Sequence, residues 1–118
     1  MDHQYLDGYR QAGLSGVRRK MTALNLDALI VSDLSVIRWL TGFSGSNARL
    51  LVSPDRCTLF TDFRYREQAA AEVRVAGTVI ASDGFAAEVV TGCYPLGAAT
   101  GIQSDSMTWD EARLLCAR

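Results

Sequence analysis

The sequence predicts a single α/β domain in which a mixed sheet of about five strands has helices on both faces. Short apolar runs alternate along the chain with segments of helical periodicity, which favours a layered arrangement of sheet and helices. The turn Ser53-Pro54-Asp55-Arg56 is so short that the apolar runs beside it should pair as an antiparallel hairpin. A length of 118 residues, 48% hydrophobic and 21% charged, suits one globular core.

The N-terminal part of the chain is predicted to hold an arm and a helix. Residues 1–14 show no apolar period and are expected to form a loose arm, so that the folded domain occupies residues 15–118. Ser15 is the expected N-cap of an amphipathic helix that ends near Asn25, because apolar residues recur there at helical spacing.

The first predicted strand is followed by a short helix with signals at both ends. Ala28–Val31 is the most continuously apolar run and is therefore expected to be the central strand, buried on both faces. Asp33 or Ser35 is expected to cap the helix, which should end where Gly42 follows it.

The chain from residue 50 onward is predicted to contribute four strands and three helices. The strands are expected at 50–52, 57–61, 75–81 and 101–103, and the helices at 63–73, 84–90 and from 108 onward. Asp62 is the expected cap of the first of these helices. The inner side of that helix should carry three apolar residues, Ala69, Ala70 and Val73.

Composition argues against several classes of function. Twelve basic and thirteen acidic residues give a net charge of −1, which provides no field to attract nucleic acid or an anionic membrane. The apolar runs are far shorter than the roughly 18 residues that span a bilayer, and the first residues lack the apolar core of a signal peptide. Cys57, Cys93 and Cys116 are odd in number and widely spaced, which favours reduced thiols. We therefore expect a cytoplasmic protein.

The sequence predicts no catalytic, cofactor-binding or metal-binding residue in this chain. The single histidine, His3, lies in the predicted arm and is interpreted as a surface residue. The loop Gly42–Asn47 superficially resembles a nucleophile elbow, but Ser46 stands where that motif has glycine, and the loop follows a helix. Its amides could cradle an anion, although a plain connection is favoured.

Two carboxylates follow predicted strands directly. Asp33 comes after the first strand and Asp62 after the third, so both could hold Mg²⁺ as in a receiver-like phosphoacceptor module. Both also begin helices, where an aspartate satisfies free amide donors, and this capping role is favoured. The sole lysine, Lys20, lies on a predicted helix face, away from both acids, which counts against the receiver-like alternative.

Two segments resemble a known family. They are Ile37–Asn47 (IRWLTGFSGSN) and Thr58–Ala69 (TLFTDFRYREQA), preceded by Asp27–Val31. Together they resemble the N-terminal domain of Xaa-Pro peptidases, the aminopeptidase P and prolidase group related to creatinase. The resemblance extends over nearly the whole chain from about Ser15 onward.

The resemblance implies that this chain is a non-catalytic domain of a larger hydrolase. In the family, two metals, often manganese, are bound by two Asp, one His and two Glu in a separate C-terminal domain that cleaves the bond preceding proline. The implied partners are that C-terminal catalytic domain and further copies of the parent. The N-terminal domain would contribute to oligomerisation and to walls that control access to the active site. Alternatives are a creatinase-like parent with a non-peptide substrate and an oligomerisation module on an inactive parent.

Arg64 and Tyr65 are the residues expected at an inter-domain or inter-subunit contact. They follow Asp62 at the end of the third strand, the edge where ligands and partners are usually met in α/β sheets. The planar fork of Arg64 and the amphipathic ring of Tyr65 both suit recognition. The competing interpretation is a local Asp62–Arg64 pair, with the Tyr65 ring packed over the sheet edge.

Overall fold

A computed structural model describes residues 3–81, 84–91 and 100–102. The elements in chain order are α1 (His3–Ala23), β1 (Ala28–Val31), α2 (Leu34–Thr41), β2 (Arg49–Val52), β3 (Cys57–Thr61), a 3₁₀ turn (Phe63–Tyr65), α3 (Arg66–Glu72), β4 (Gly77–Ile80), α4 (Phe85–Thr91) and β5 (Thr100–Ile102). The predicted helix from residue 108 onward lies outside the described residues, as do Cys93 and Cys116.

The five strands form one mixed sheet in the order β4-β3-β2-β1-β5, which confirms the predicted fold class. The pairs β1–β2 and β2–β3 are antiparallel, and the pairs β3–β4 and β1–β5 are parallel. The predicted central strand, β1, is internal and buried, but the middle position belongs to β2. Three strands, β2, β3 and β4, lie on one side of β1, whereas only β5 lies on the other side.

Helices cover both faces of the sheet because the strand side chains alternate between them. On one face, α1, α2 and α3 bury a core that includes Leu14, Ile37 and Ala69. On the other face, Phe85 and Val89 of α4 pack over a smaller core. Within β1 the alternation is direct: Ala28 and Ile30 belong to the α4 face, while Val31 belongs to the opposite core.

The predicted loose arm is wrong from residue 3 onward, since α1 already begins at His3. Ser15, the expected N-cap, therefore lies inside the helix. Long-range contacts explain the early start: the Asp7 carboxylate accepts from Arg74 Nη2 at 2.8 Å, 67 residues away. The helix ends near the predicted place, where Asn25 takes a positive φ of 56° and Leu26 donates its amide to the Met21 carbonyl.

The end signals of α2 act as predicted. The Asp33 carboxylate accepts hydrogen bonds from the amides of Ser35 and Val36, so Asp33 is the N-cap. Gly42 follows the helix with φ 86°, a left-handed conformation that L side chains rarely adopt. These two residues fix where the chain leaves β1 and where it enters the next loop.

In the segment after β3, the residues that face the core differ from those predicted. This segment starts with one 3₁₀ turn before becoming α-helical, and the two helix types have 3.0 and 3.6 residues per turn. The predicted inner positions therefore shift: Ala69 is buried and Val73 packs against the core, but Ala70 is exposed. The following strand, β4, is also shorter than predicted and covers Gly77–Ile80.

Candidate functional site

The polar residues of interest lie at one end of the inner strands, where β1 and β3 end and β2 begins. We call this end of the sheet the carboxyl edge, and the opposite end of the same strands, at the Ser53–Arg56 turn, the amino edge. At the carboxyl edge the loop 42–47 meets the start of the 3₁₀ turn and one face of α3. The side chains that meet there form the loop cluster: Ser44, Ser46, Asn47, Asp62, Arg64, Tyr65, Gln68 and Glu72.

Glu72 holds the first part of the loop. Its carboxylate accepts from the Ser44 amide at 2.8 Å and from the Ser44 hydroxyl at 2.9 Å. Gln68, one turn earlier on α3, donates to both the Ser44 hydroxyl and Glu72. Burial raises the pKa of Glu72, but the hydrogen bonds from Ser44 and Gln68 outweigh it, so the net pKa is lowered. The Ser44 amide thus does bind an anion, but that anion is the carboxylate of Glu72.

Asp62 organises the second part of the cluster. One carboxylate oxygen accepts from the Arg64 amide at 2.9 Å, which confirms the predicted cap. The carboxylate also receives two bonds from the Arg64 guanidinium, at 3.0 and 2.9 Å, and one from the Asn47 amide group at 2.7 Å. The side-chain bonds from Arg64 and then Asn47 hold the pKa of Asp62 well below its usual range. Asp62 therefore remains an anion at any ordinary pH.

Tyr65 is fixed at both ends of its side chain. Its ring packs edge-on against the buried Phe43 ring, with 5.7 Å between centroids. Its hydroxyl forms a hydrogen bond with the Ser46 hydroxyl, and this bond is the main reason that the Tyr65 pKa is lowered. The Arg64 guanidinium carbon lies 5.3 Å from the centre of the same ring. Arg64 and Tyr65 thus make the local contacts of the competing interpretation, which leave the guanidinium oriented but largely open to solvent.

Phe63 gives this edge an apolar centre that sequence reasoning missed. It is 70% exposed, the most exposed of the large hydrophobic side chains in the described residues. A shallow surface cavity beside it is lined by Phe63, Arg64, Arg66 and Glu67. An exposed aromatic ring next to oriented charged groups is typical of protein contact surfaces.

The roles of Glu72 and Gln68 were also missed. Their spacing of four residues on a helix places both side chains on one face, which was the available signal. The sequence did not indicate their partner, because Ser44 lies 28 residues from Glu72 along the chain.

The two aspartates considered for Mg²⁺ are each used at the start of their own helix. Asp33 and Asp62 share the carboxyl edge, but β2 lies between their strands and separates those strands by about 10 Å. Within the described ranges, no group of three or more His, Cys, Asp or Glu side chains could hold a metal ion. The two metals that the family resemblance implies are expected in a separate C-terminal domain, and the described part of this chain offers no group of ligands for them.

Cys57 at the amino edge is a weak nucleophile. Burial raises the pKa of its thiol to about 11, with a smaller opposing effect from Arg18, so the thiol stays protonated near neutral pH. The side chain of His3 lies outside what the structure describes.

Comparison with known proteins identifies the domain. A family model described as the creatinase/prolidase N-terminal domain matches residues 14–118. The chain belongs to this family. The N-terminal domain of cytoplasmic peptidase PepQ from Mycobacterium tuberculosis is a structural relative with a TM-score of 0.74 at 32% identity, covering 90% of this chain and 83% of that one.

Two of the proteins that this chain resembles are much longer than it is. The uncharacterized peptidase YqhT of Bacillus subtilis is 34% identical over 61 residues, which are 52% of this chain but 17% of that protein. The Xaa-Pro dipeptidase from Bacillus anthracis has the same fold, with a TM-score of 0.81 at 22% identity, over 92% of this chain and 31% of that one. The chain thus spans less than a third of each of these two relatives. None of the described helices is both long enough and apolar enough to cross a membrane.

Proposed function

We propose that this chain is the non-catalytic N-terminal domain of a cytoplasmic Xaa-Pro dipeptidase or aminopeptidase. The parent would hydrolyse the peptide bond that precedes proline, using two divalent metals, manganese among the candidates, in a C-terminal domain. This domain would contribute to oligomerisation and to control of access to the active site. Three findings support this proposal. The chain belongs to the family, two of its relatives are much longer, and its relative PepQ is described as a cytoplasmic peptidase.

The accessory role is supported chiefly by the hydrogen bonding at the carboxyl edge. Its polar groups are largely engaged with one another: Ser44 with Glu72, Asp62 with Arg64 and Asn47, and Tyr65 with Ser46. Each of the two carboxylates, Glu72 and Asp62, already accepts at least three hydrogen bonds, which favours a structural role over that of a general base. Such a surface suits a rigid wall against which another surface rests.

Within that wall, Arg64 and Tyr65 are the proposed contact residues, with Phe63 between Asp62 and Arg64 as an apolar anchor. Asp62 uses Nε and Nη2 of the Arg64 guanidinium, and 65% of the Arg64 side chain remains exposed. Because its guanidinium is already oriented, the Arg64 side chain loses little conformational entropy when it binds a carboxylate or carbonyl of a neighbouring chain. Aromatic and arginine side chains carry a large share of the energy at such contacts.

The test compares two exposed arginines in the full-length parent. Arg64→Ala should lower kcat/KM on an Xaa-Pro peptide by about tenfold or shift the oligomeric state, as loss of a contact hot spot does. Arg56→Ala, at the amino edge, is the matched control and should leave both unchanged. Kinetics and light scattering of the parent are measured together with urea unfolding of the 118-residue chain.

Two outcomes would contradict the proposal. If Arg64→Ala only lowers the stability of the 118-residue chain and leaves parental kinetics and assembly intact, Arg64 is a structural residue. If the parent instead hydrolyses a creatinase-like, non-peptide substrate and no Xaa-Pro peptide, the accessory role stands but the substrate class is wrong.

A further inference from the structure

We propose that residues 7–13 of α1 act as a strap that holds the loop cluster in its working geometry. The strap consists of the roughly two turns of α1 that begin at Asp7, include Arg10 and end at Gly13. The proposal is about the order of this chain's own loop. Only its consequence for a parent enzyme rests on the function proposed above.

The first fastening is an ion pair between distant parts of the chain. Asp7 accepts from Nη2 of Arg74 at 2.8 Å and from Nε at 3.2 Å, a two-pronged geometry that defines the direction of both side chains. The pair raises the pKa of Arg74 further, because the Asp7 carboxylate favours its charged form. Arg74 in turn donates its backbone amide to the carbonyl of Thr41, the last residue of α2, at 2.8 Å. One residue therefore joins α1, α2 and the end of α3.

The second fastening is the guanidinium of Arg10. Its side chain is 17% exposed and lies 3.7 Å from the Asp7 carboxylate. A Cβ placed on Gly42 would lie 3.0 Å from Nη2 of Arg10 and 2.9 Å from the backbone carbonyl oxygen of Glu72. Arg10, the end of α2 and the end of α3 therefore meet at one point. Nε of Arg10 is buried without a hydrogen-bond partner in the described part of the chain, so its position depends on the surrounding contacts.

A third contact closes the strap at its C-terminal end. A Cβ on Gly13 would lie 2.9 Å from the indole Cη2 of Trp39 and 3.2 Å from Cδ2 of Leu40. The absence of a side chain at Gly13 thus lets the α2 side chains approach the α1 backbone closely.

The strap reaches the loop cluster most directly through Glu72. The backbone of Glu72 faces Gly42 and Arg10, while its carboxylate holds the amide and hydroxyl of Ser44. Movement of the strap should therefore displace the end of α3 and release the Ser44 side of the loop. The amino edge is outside this path.

A second tether of α1 provides the matched control. Arg18, further along the same helix, donates from Nε to the Ser53 carbonyl at 2.9 Å and from Nη2 to the Arg56 carbonyl at 3.1 Å. It ties α1 to the turn at the amino edge. Loss of Arg18 should loosen that turn and leave the loop cluster unaffected.

The experiment is amide hydrogen exchange, followed residue by residue by NMR, on the 118-residue chain. Asp7→Asn should speed exchange of the Ser44 amide by about fivefold, the ratio that the upper range for a partly exposed ion pair implies. Arg74→Gln should also speed this exchange, and the double variant should add little to Asp7→Asn, because Asp7→Asn already breaks the Asp7–Arg74 pair. Asp7→Glu, which keeps the carboxylate, should stay near the unmodified chain, and Arg18→Gln should speed exchange only around Ser53 and Cys57.

Four results decide the matter. Unchanged exchange at Ser44 in Asp7→Asn, with faster exchange confined to residues 7–13, would show that the strap is not coupled to the loop. A uniform increase over the whole chain in Asp7→Asn would show a global effect and would also overturn the proposal. Faster exchange at Ser44 together with altered kinetics of an Asp7→Asn parent supports both proposals. Faster exchange with unaltered parental kinetics supports the strap and contradicts the contact role of the carboxyl edge.

Discussion

At the carboxyl edge most hydrogen bonds join two side chains, whereas at the amino edge most of them end on backbone carbonyls. The loop 42–47 is tied to α3 and the 3₁₀ turn through hydroxyl, amide and carboxylate groups. The turn at the amino edge is closed by the Ser53 amide, which donates to the Arg56 carbonyl at 2.9 Å, and the guanidinium of Arg18 adds to it by binding two carbonyls.

The difference shows how one small sheet can have a specialised edge and a generic one. A turn of four residues can form with few particular side chains, since proline presets φ and one amide–carbonyl bond closes it. An edge made by side chains depends on which residues are present and on their long-range partners. Substitutions at the carboxyl edge should therefore have larger and more varied effects.

The largest effect is expected from Phe43→Ala. Phe43 is fully buried between the main core and the Tyr65 ring, so its removal leaves a cavity beneath the loop cluster. The free energy of unfolding should fall by about 3–5 kcal/mol, as for other buried aromatic truncations. Urea unfolding followed by circular dichroism measures the loss. Pro54→Ala, an exposed change at the amino edge, should cost about 1 kcal/mol or less, and equal losses at the two edges would refute the comparison.

Gly42→Ala should come next, with a loss of about 2 kcal/mol or more. A left-handed φ alone costs about 1–2 kcal/mol for a residue with a Cβ, and here that atom would also crowd the Glu72 carbonyl. Gly8→Ala is the control in the same protein. Gly8 lies in α1, where an added Cβ meets nothing within 4 Å, so this change should stabilise the helix by about 0.5–1 kcal/mol. Thermal unfolding of both variants should show shifts of opposite sign.

Asp33→Ala tests a single cap and should cost about 1 kcal/mol. The alanine leaves the amides of Ser35 and Val36 without their acceptor, while the rest of α2 is unchanged. Asp33→Asn keeps a side-chain oxygen and should remain close to the original stability. If both variants lost the same amount in chemical unfolding, charge rather than capping would be the role of Asp33.

The smallest expected effect is a dependence of stability on acid pH. The pKa of Asp62 is lowered in the folded chain, so its contribution is fully present above the unfolded value of about 3.9 and is lost as pH falls below it. The urea midpoint should therefore fall between about pH 5 and pH 2, and less steeply in Asp62→Asn. High salt should weaken the difference, because this carboxylate lies near solvent. Identical pH profiles for the two proteins would show that the Arg64 and Asn47 bonds contribute nothing.

Features that depend on neighbouring residues were predictable from the sequence. The bounds of β1 and β3, the Asp33 and Asp62 caps, the stop at Gly42 and the hairpin at Ser53–Arg56 all matched. Each rests on an apolar run, a carboxylate reaching amides two or three residues away, or a glycine that accepts positive φ. Such interactions act within a few residues, so a local pattern is enough to find them.

The features decided by the tertiary structure all join residues far apart in the chain. The early start of α1 depends on the pair of Asp7 and Arg74. The hydrogen bond from the loop's Ser44 amide depends on the distant carboxylate of Glu72. The position of β2 in the middle of the sheet depends on where β5 pairs. The sequence by itself therefore determined the family, the fold class and the local caps. The loop cluster and its strap appeared only in the folded chain, because a contact between distant residues leaves no periodic or local pattern in a single sequence.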